Sequence, residues 1–285
     1  MRLAIITLTL AFLAPLAFAQ KPGERARGPQ PVDTIDQEEG REIIESFRHQ
    51  RLRGDFIFLF DLVHQPARAK DVVYQGIMWG TWNEQGPLNR VSVWPKGKRA
   101  TKTREYIVQG GAEPRVWKLR DGKAVELSKE EQGEPFFPEM NYTPYDFVMP
   151  FAHWDVYEYT KSTRLARGRP AHFFTFYAPG DVAERMPDLA AVELAIDASF
   201  NAPLSAKMYD TEGKRLRTLD VGGFKEIEDQ YIVKEIDLID ERSGDKTRFR
   251  VTGAALNMSI PAALFAPESL PKGEPDITKV IFEPV

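Results

Sequence analysis

The chain has 285 residues, with 38 Lys and Arg against 42 Asp and Glu, a formal net charge of -4 and no cysteine. The slightly acidic balance lacks the electrostatic footprint of a nucleic-acid binder, so no nucleic-acid partner is expected. Without cysteine there is no disulfide, thiolate metal site or thiol nucleophile, nor an acylated N-terminal cysteine.

The first segment has the parts of a secretory leader. Arg2 supplies the positive n-region, Leu3 to Leu16 the apolar h-region, and Ala17-Phe18-Ala19 the small-residue cleavage site. The apolar stretch is short for a membrane span and is followed by a polar run, which favours cleavage after Ala19 over an uncleaved anchor. The expected location is the periplasm of a bacterium. Residues 20–34, rich in Pro, Gly and Arg, have little to bury and are expected to form a flexible leader. Residues 35–285 are expected to form a single domain, large enough to bury a core without disulfides.

Within that domain the spacing of apolar residues predicts a helix over Asp36–Arg51. Ile35, Ile43, Ile44 and Phe47 form one narrow stripe, and Thr34 with Gln37 or Asp36 with Glu39 offers a capping pair. From Asp55 the period changes to two. Phe56, Phe58, Phe60 and Leu62 share one face; Ile57, Leu59, Asp61 and Val63 share the other. Both faces are rich in apolar residues, so the pattern alone does not say which looks inward. Strands are predicted over Asp71–Trp82, Asn89–Trp94, Arg104–Gln109, Arg115–Arg120 and Ala124–Leu127, the last pair joined by Asp121-Gly122.

A short helix follows at Thr143–Met149. Thr143 is its N-cap, Pro144 suits the first helical position, and Asp146 faces the helix N-terminus; Pro150 stops it. Tyr145, Phe147, Val148, Met149, Phe151 and Trp154 make this segment a plug for an apolar surface elsewhere. Further strands are predicted over Val156–Leu165, Ala171–Tyr177, Ala191–Phe200, Leu204–Asp210, Arg215–Leu219, Phe224–Ile227, Ile232–Asp240 and Thr247–Ala254. Ile260–Phe265 is expected to be a final short helix. So many antiparallel strands with few helices point to one curved sheet with helices on its concave side.

Catalytic signals in the sequence are weak. There is no Gly-x-Ser-x-Gly elbow, His-Glu-x-x-His or Gly-rich phosphate loop, and His49, His64, His153 and His172 include no i, i+4 pair. His153 beside Trp154 could hydrogen-bond a ligand headgroup or be a structural histidine. Trp79, Trp82, Trp94, Trp117 and Trp154 could wall an acyl chain or simply pack the sheet.

The order of parts resembles that of the LolA-like outer-membrane lipoprotein-sorting proteins. It runs from one amphipathic helix through a long meander to the Thr143–Phe147 helix and the Tyr157-Glu158-Tyr159 strand. The Lys207–Lys214 hairpin and Asn257–Pro261 before Phe265 and Leu270 then follow. The resemblance implies a mainly β fold, an open, incomplete antiparallel β-barrel with helices over its concave side. It implies a non-catalytic periplasmic carrier of acyl chains, from a lipoprotein or another envelope lipid, bound for the outer membrane. An inner-membrane exporter and an outer-membrane acceptor would be its partners, and the protein would be a monomer without cofactor or metal. The alternatives are a lipid-sensing module that docks on a membrane protein and a hydrolase of an envelope component. The residues expected to line the cavity are Phe56, Phe58, Phe60, Met78, Trp94, Tyr145, Phe147, Met149, Phe151, Trp154, Val192, Leu194 and Ile196.

Overall fold

The computed structural model describes residues 32–165 and 168–285, with the side chains of Tyr145 and Arg185 left aside. The leader and its cleavage site lie outside the described residues. Helix α1 (Gln37–Arg48) begins with a capping box in which the Asp36 carboxylate accepts from the backbone N–H of Glu38 and Glu39, while Glu39 accepts from that of Asp36. Of the two capping pairs offered by the sequence, this is the second, and the helix ends three residues earlier than its apolar stripe suggests.

Strands β1 (Asp55–Gln65), β2 (Val72–Asn83), β3 (Gly86–Pro95), β4 (Arg104–Gln109), β5 (Arg115–Arg120) and β6 (Lys123–Glu126) form one antiparallel meander. A second meander comprises β7 (Tyr157–Arg164), β8 (Pro170–Tyr177), β9 (Ala191–Asp197), β10 (Pro203–Tyr209), β11 (Arg215–Ile227), β12 (Gln230–Asp240) and β13 (Lys246–Met258). Pairing of β1 with β13 welds the two into one curved, unclosed sheet, to which the short β14 (Glu283–Pro284) adds beside β13. Strands β6 and β7 are its two edges. The β7 edge is blunted by Gln37 of α1. Its side-chain amide donates to the carbonyl of Tyr159 at 2.7 Å and accepts from the N–H of the same residue at 3.0 Å, as a neighbouring strand would.

Two short helices were not legible as such, α2 (Arg99–Lys102) and α4 (Gly180–Arg185). The helix read over Thr143–Met149 is α3 (Pro144–Val148). Its predicted cap is a full capping box, and Met149 at φ 40° precedes a 3-10 turn over Pro150–His153. The strand predicted to reach Phe200 stops at Asp197. There the carboxylate accepts from the N–H groups of Ser199 at 2.8 Å and Phe200 at 3.1 Å, which turns the chain and leaves Phe200 exposed.

The sheet buries different residues on its two faces. Phe58, Phe60, Leu62, Met78, Val91, Val93, Leu194 and Phe249 belong to one large inner cluster. Ile57, Ile77, Trp79, Trp94 and Phe265 form a smaller outer one, covered by the chain after Met258. The inward face of β1 is therefore its phenylalanine face. Opposite Phe56 and Phe60 in the register stand Gly80 and Gly76. A Cβ on Gly80 would lie 2.0 Å from the Phe56 ring, and one on Gly76 would lie 2.2 Å from the Phe60 ring. The two rings thus lie flat over the glycines of the neighbouring strand. Gly76→Ala is expected to destabilise by roughly 1–3 kcal/mol through overpacking, where an alanine normally favours a strand over glycine. Equal urea midpoints for variant and wild type would refute this placement.

Candidate functional site

The inner face is closed by a plug that begins earlier than Thr143. Phe136, Phe137, Met140, Tyr142, Val148, Phe151 and Trp154 are all buried in the inner cluster, with Phe147 and Met149 packed against it. Phe147 is the hub. Its ring centroid lies 6.2 Å from Phe60, 5.4 Å from Phe136, 5.2 Å from Tyr142 and 5.8 Å from Phe249, all edge-on. Phe137 stacks on Tyr74 at 4.6 Å, and Phe136 meets Tyr106 edge-on at 4.9 Å. The missed residues stand in an aperiodic, proline-interrupted stretch, Glu134–Tyr142, whose only signal is its density of large apolar side chains.

Polar contacts hold the plug at both ends. The Asp146 carboxylate, wholly buried, accepts from the N–H and hydroxyl of Thr143 at 2.8 Å each and forms an ion pair with Arg217 of β11 at 3.1 Å. Arg217 also donates to the carbonyl of Asn141 at 2.9 Å. The second oxygen of Asp146 is buried without a partner. Burial first, and the Asp146 charge second, push the Tyr142 phenol upward. At the other end Arg48 of α1 donates to the carbonyls of Ala152 at 2.8 Å and Trp154 at 3.0 Å.

Of the residues proposed from sequence to line a cavity, Phe58, Phe60, Met78, Phe151, Trp154, Val192, Leu194 and Ile196 are brought together in the inner cluster. Phe56, Phe147 and Met149 pack against it. The side chain of Tyr145 lies outside the described residues. Trp94 does not join them. It belongs to the outer cluster, because it shares the outward face of β3 with Leu88 and Arg90, while Val91 and Val93 point inward. Trp79 is on the outer face as well, so these two tryptophans pack the sheet and do not wall the interior.

Open grooves lie elsewhere. One of about 420 Å³ runs between α1 and the ends of β8 and β9, lined by Ile35, Glu39, Glu42, Ser46, His172 and Asn201 among others. One of about 790 Å³ lies beside Trp117, Pro267 and Pro271.

Two histidines, His64 and His172, meet hydroxyls across a strand ladder. His64 Nδ1 lies 2.9 Å from the Thr247 hydroxyl, which donates to Asn141 at the root of the plug. His172 Nδ1 lies 2.7 Å from Ser162 Oγ, a serine–histidine contact that the sequence did not reveal. The two residues face each other across the β7–β8 ladder, and Ser162 Oγ is also 2.8 Å from the Tyr159 hydroxyl. The arrangement is a cross-strand polar chain of Tyr159, Ser162 and His172. Among the described residues no group of three or more metal-ligating side chains stands together.

Burial pushes His64, His153 and His172 below the ordinary histidine value of 6.5. Arg48 adds to the shift at His153; Asp245, Asp71 and Glu139 oppose it at His64, and Glu39 opposes it at His172. Near and below pH 6.5 the unfolded chain therefore binds more protons at these rings than the folded one. Their stabilising contribution is fully present above the unfolded value and is lost as pH falls through the lower folded values. Glu105, raised by burial, has the opposite sign: its contribution is complete below its unfolded value of 4.5 and is lost as pH rises through the folded one. Urea midpoints are expected to fall from about pH 7.5 to about pH 5.5, and less steeply in His153→Gln than in wild type. Parallel pH profiles for the two would show that His153 does not titrate in this way.

A family profile described only as an uncharacterized protein matches residues 188–272. No curated protein matches the chain in sequence. Solved structures are similar in fold. A proposed outer membrane lipoprotein-sorting protein domain from Vibrio parahaemolyticus superposes with a TM-score of 0.68 at 12% identity, over 82% of this chain and 98% of that one. A DUF1329 family protein from Desulfovibrio piger gives 0.65 at 10% identity, over 81% and 98%. A LolA superfamily protein from Nitrosomonas europaea gives 0.58 at 13% identity, over 81% and 98%. This likeness, over about four fifths of the chain and almost the whole of each of those structures, together with the curved, unclosed antiparallel sheet, gives this chain the LolA-like fold.

Proposed function

We propose that this protein binds the acyl chains of a lipoprotein or another envelope lipid on the inner face of its sheet. It carries them across the periplasm toward the outer membrane and catalyses no reaction. The observation that supports this is the make-up of the inner face. Flat phenylalanine rings of β1 and aliphatic side chains of β9 are covered by an aromatic plug that is tied to the wall by a few polar contacts. An acyl chain costs about 0.8 kcal/mol per exposed CH₂, so a carrier must hide it in such a surface and release it by shifting between states a few kcal/mol apart. The lining would be Phe56, Phe58, Phe60, Met78, Val192, Leu194 and Ile196 from the sheet, with Phe147, Met149, Phe151 and Trp154 moving aside. The working protein would be the monomeric domain left by cleavage after Ala19, with an inner-membrane exporter and an outer-membrane acceptor as partners.

Native mass spectrometry of the protein purified gently from the periplasm, followed by solvent extraction, tests this. A reproducible mass excess that extracts as a lipid or acylated peptide is the expected result. A clean mass with no uptake of added phospholipid or lipopeptide would leave the aromatics as an ordinary core.

A further inference from the structure

Strands β11 and β12 form a long hairpin, but only its base lies in the sheet. β10 pairs with β11 from Arg215 to Asp220 and no further, and β13 pairs with β12 from Glu235 to Ile239 and no further. Between those limits residues 221–234 pair only within the hairpin. Among the described residues no backbone–backbone hydrogen bond joins this ribbon to another element. The pairing also slips at its base, where Gly222 on β11 and Lys234 on β12 are both passed over. Bulges on both strands beside the adjacent glycines 222 and 223 make a hinge, and a Cβ at Gly223 would meet nothing within 4 Å.

The tip is fastened by side chains instead of a ladder. The N–H of Arg53 donates to Gln230 Oε1 at 2.5 Å, and its guanidinium donates to the Glu228 carbonyl at 2.9 Å. Gln230 donates to Asn257 Oδ1 at 3.3 Å, and Asn257 donates to the Glu228 carboxylate. The turn itself is strained, since Glu228 and Asp229 sit at φ 48° and 57°, the left-handed region that favours glycine. Beneath the ribbon, Ile227 and Ile232 are buried in the inner cluster. On its outer side Tyr231 is exposed beside exposed Phe200, ring centroids 5.9 Å apart.

We propose that this ribbon is a side gate through which a single acyl chain reaches the inner face between β10 and β13, without displacement of the plug. The proposal rests on the carrier function above. Swinging the ribbon out breaks no ladder with the sheet. It gives up the polar contacts around the buried Gln230 at the tip, withdraws Ile227 and Ile232 from the inner cluster, and draws Phe224 away from Leu204 and the Arg169 guanidinium. Displacing the plug instead separates the buried Asp146–Arg217 pair and the whole ring hub around Phe147. The gate is therefore the easier path, and the polar head of the amphiphile stays in water at the rim.

The cysteine-free chain makes the test clean. Gln230→Cys with Asn257→Cys places a thiol on the ribbon tip and another on β13, to be joined by oxidation and freed by reductant in the same protein. With 11-(dansylamino)undecanoic acid as probe, the oxidised form is expected to load roughly tenfold more slowly than the reduced form. Equal loading rates would overturn the gate. In wild type without ligand, the amides of 224–227 and 230–233 are expected to exchange with deuterium faster than those of 215–220 and 236–239. Equal protection would overturn the hinge whatever the loading data show. Failure of wild type to load the probe at all would tell against the carrier function, while exchange would still decide the ribbon.

Discussion

Replacing Arg90 by alanine is expected to lower the unfolding free energy by roughly 3–5 kcal/mol, the range for breaking a buried ion pair on one side. Arg90 lies on the outward face of β3 and is fully buried. Its guanidinium pairs with Glu105 at 2.9 Å. It also donates to the Ser269 hydroxyl at 2.9 Å and the Gly273 carbonyl at 2.6 Å, with longer contacts to the carbonyls of Leu264 and Ser269. One side chain thus fastens the segment after Met258 to the outer face, over Trp79 and Trp94. Removing it leaves Glu105 buried without its partner, in a site that already raises its pKa by burial. Thermal unfolding should shift down on the order of 10 °C. The amides of residues 262–273 should lose exchange protection before those of the sheet. The double variant Arg90→Met with Glu105→Leu should recover most of the loss, because it removes both charges together. A single variant as stable as wild type would mean that the clasp contributes nothing.

Replacing Phe147 by alanine is expected to cost roughly 2–4 kcal/mol, somewhat below the range for a fully buried phenylalanine because this ring is only half-buried. The loss should be local in origin. Four ring contacts end at once, while the plug keeps its Asp146–Arg217 and Arg48 fastenings and the contacts of Phe136 and Phe137 with the wall. Phe147→Leu should retain most of the stability, since it keeps an apolar side chain in the hub. If the inner face takes acyl chains, Phe147→Asp should abolish loading in a protein that still folds, because a carboxylate would be placed where the chain lies. Unchanged stability in Phe147→Ala would show that the hub does not hold the plug; normal loading in a folded Phe147→Asp would remove the inner face as the binding surface.

Local features of this fold were legible in the chain because they depend on near neighbours. The Asp36 and Thr143 capping boxes, the stop at Pro150 and the strand–turn pattern each depend on residues a few positions apart. The period-two pattern of β1 also grouped Phe56, Phe58 and Phe60 correctly. It could not choose the inward face, because Ile57 and Leu59 are as apolar as their neighbours. That choice was made by Gly76 and Gly80 across the ladder, which leave room for flat rings, and by the plug above them.

Contacts between distant parts of the chain were decided by the tertiary structure alone. The β1–β13 pairing joins strands nearly two hundred residues apart in sequence and turns two meanders into one sheet. Trp94 faces outward because pairing with β2 and β4 sets which side of β3 meets the plug, and composition carries no trace of that. Arg90 with Glu105, Asp146 with Arg217 and Ser162 with His172 look like ordinary surface polar residues until the register brings them together. The sequence splits β11 into Arg215–Leu219 and Phe224–Ile227 at the Gly222-Gly223 pair, where the structure has one strand with slipped pairing. The release of the β11–β12 ribbon from both neighbours depends on where β10 and β13 stop pairing, which is a property of the curved sheet and not of any one segment.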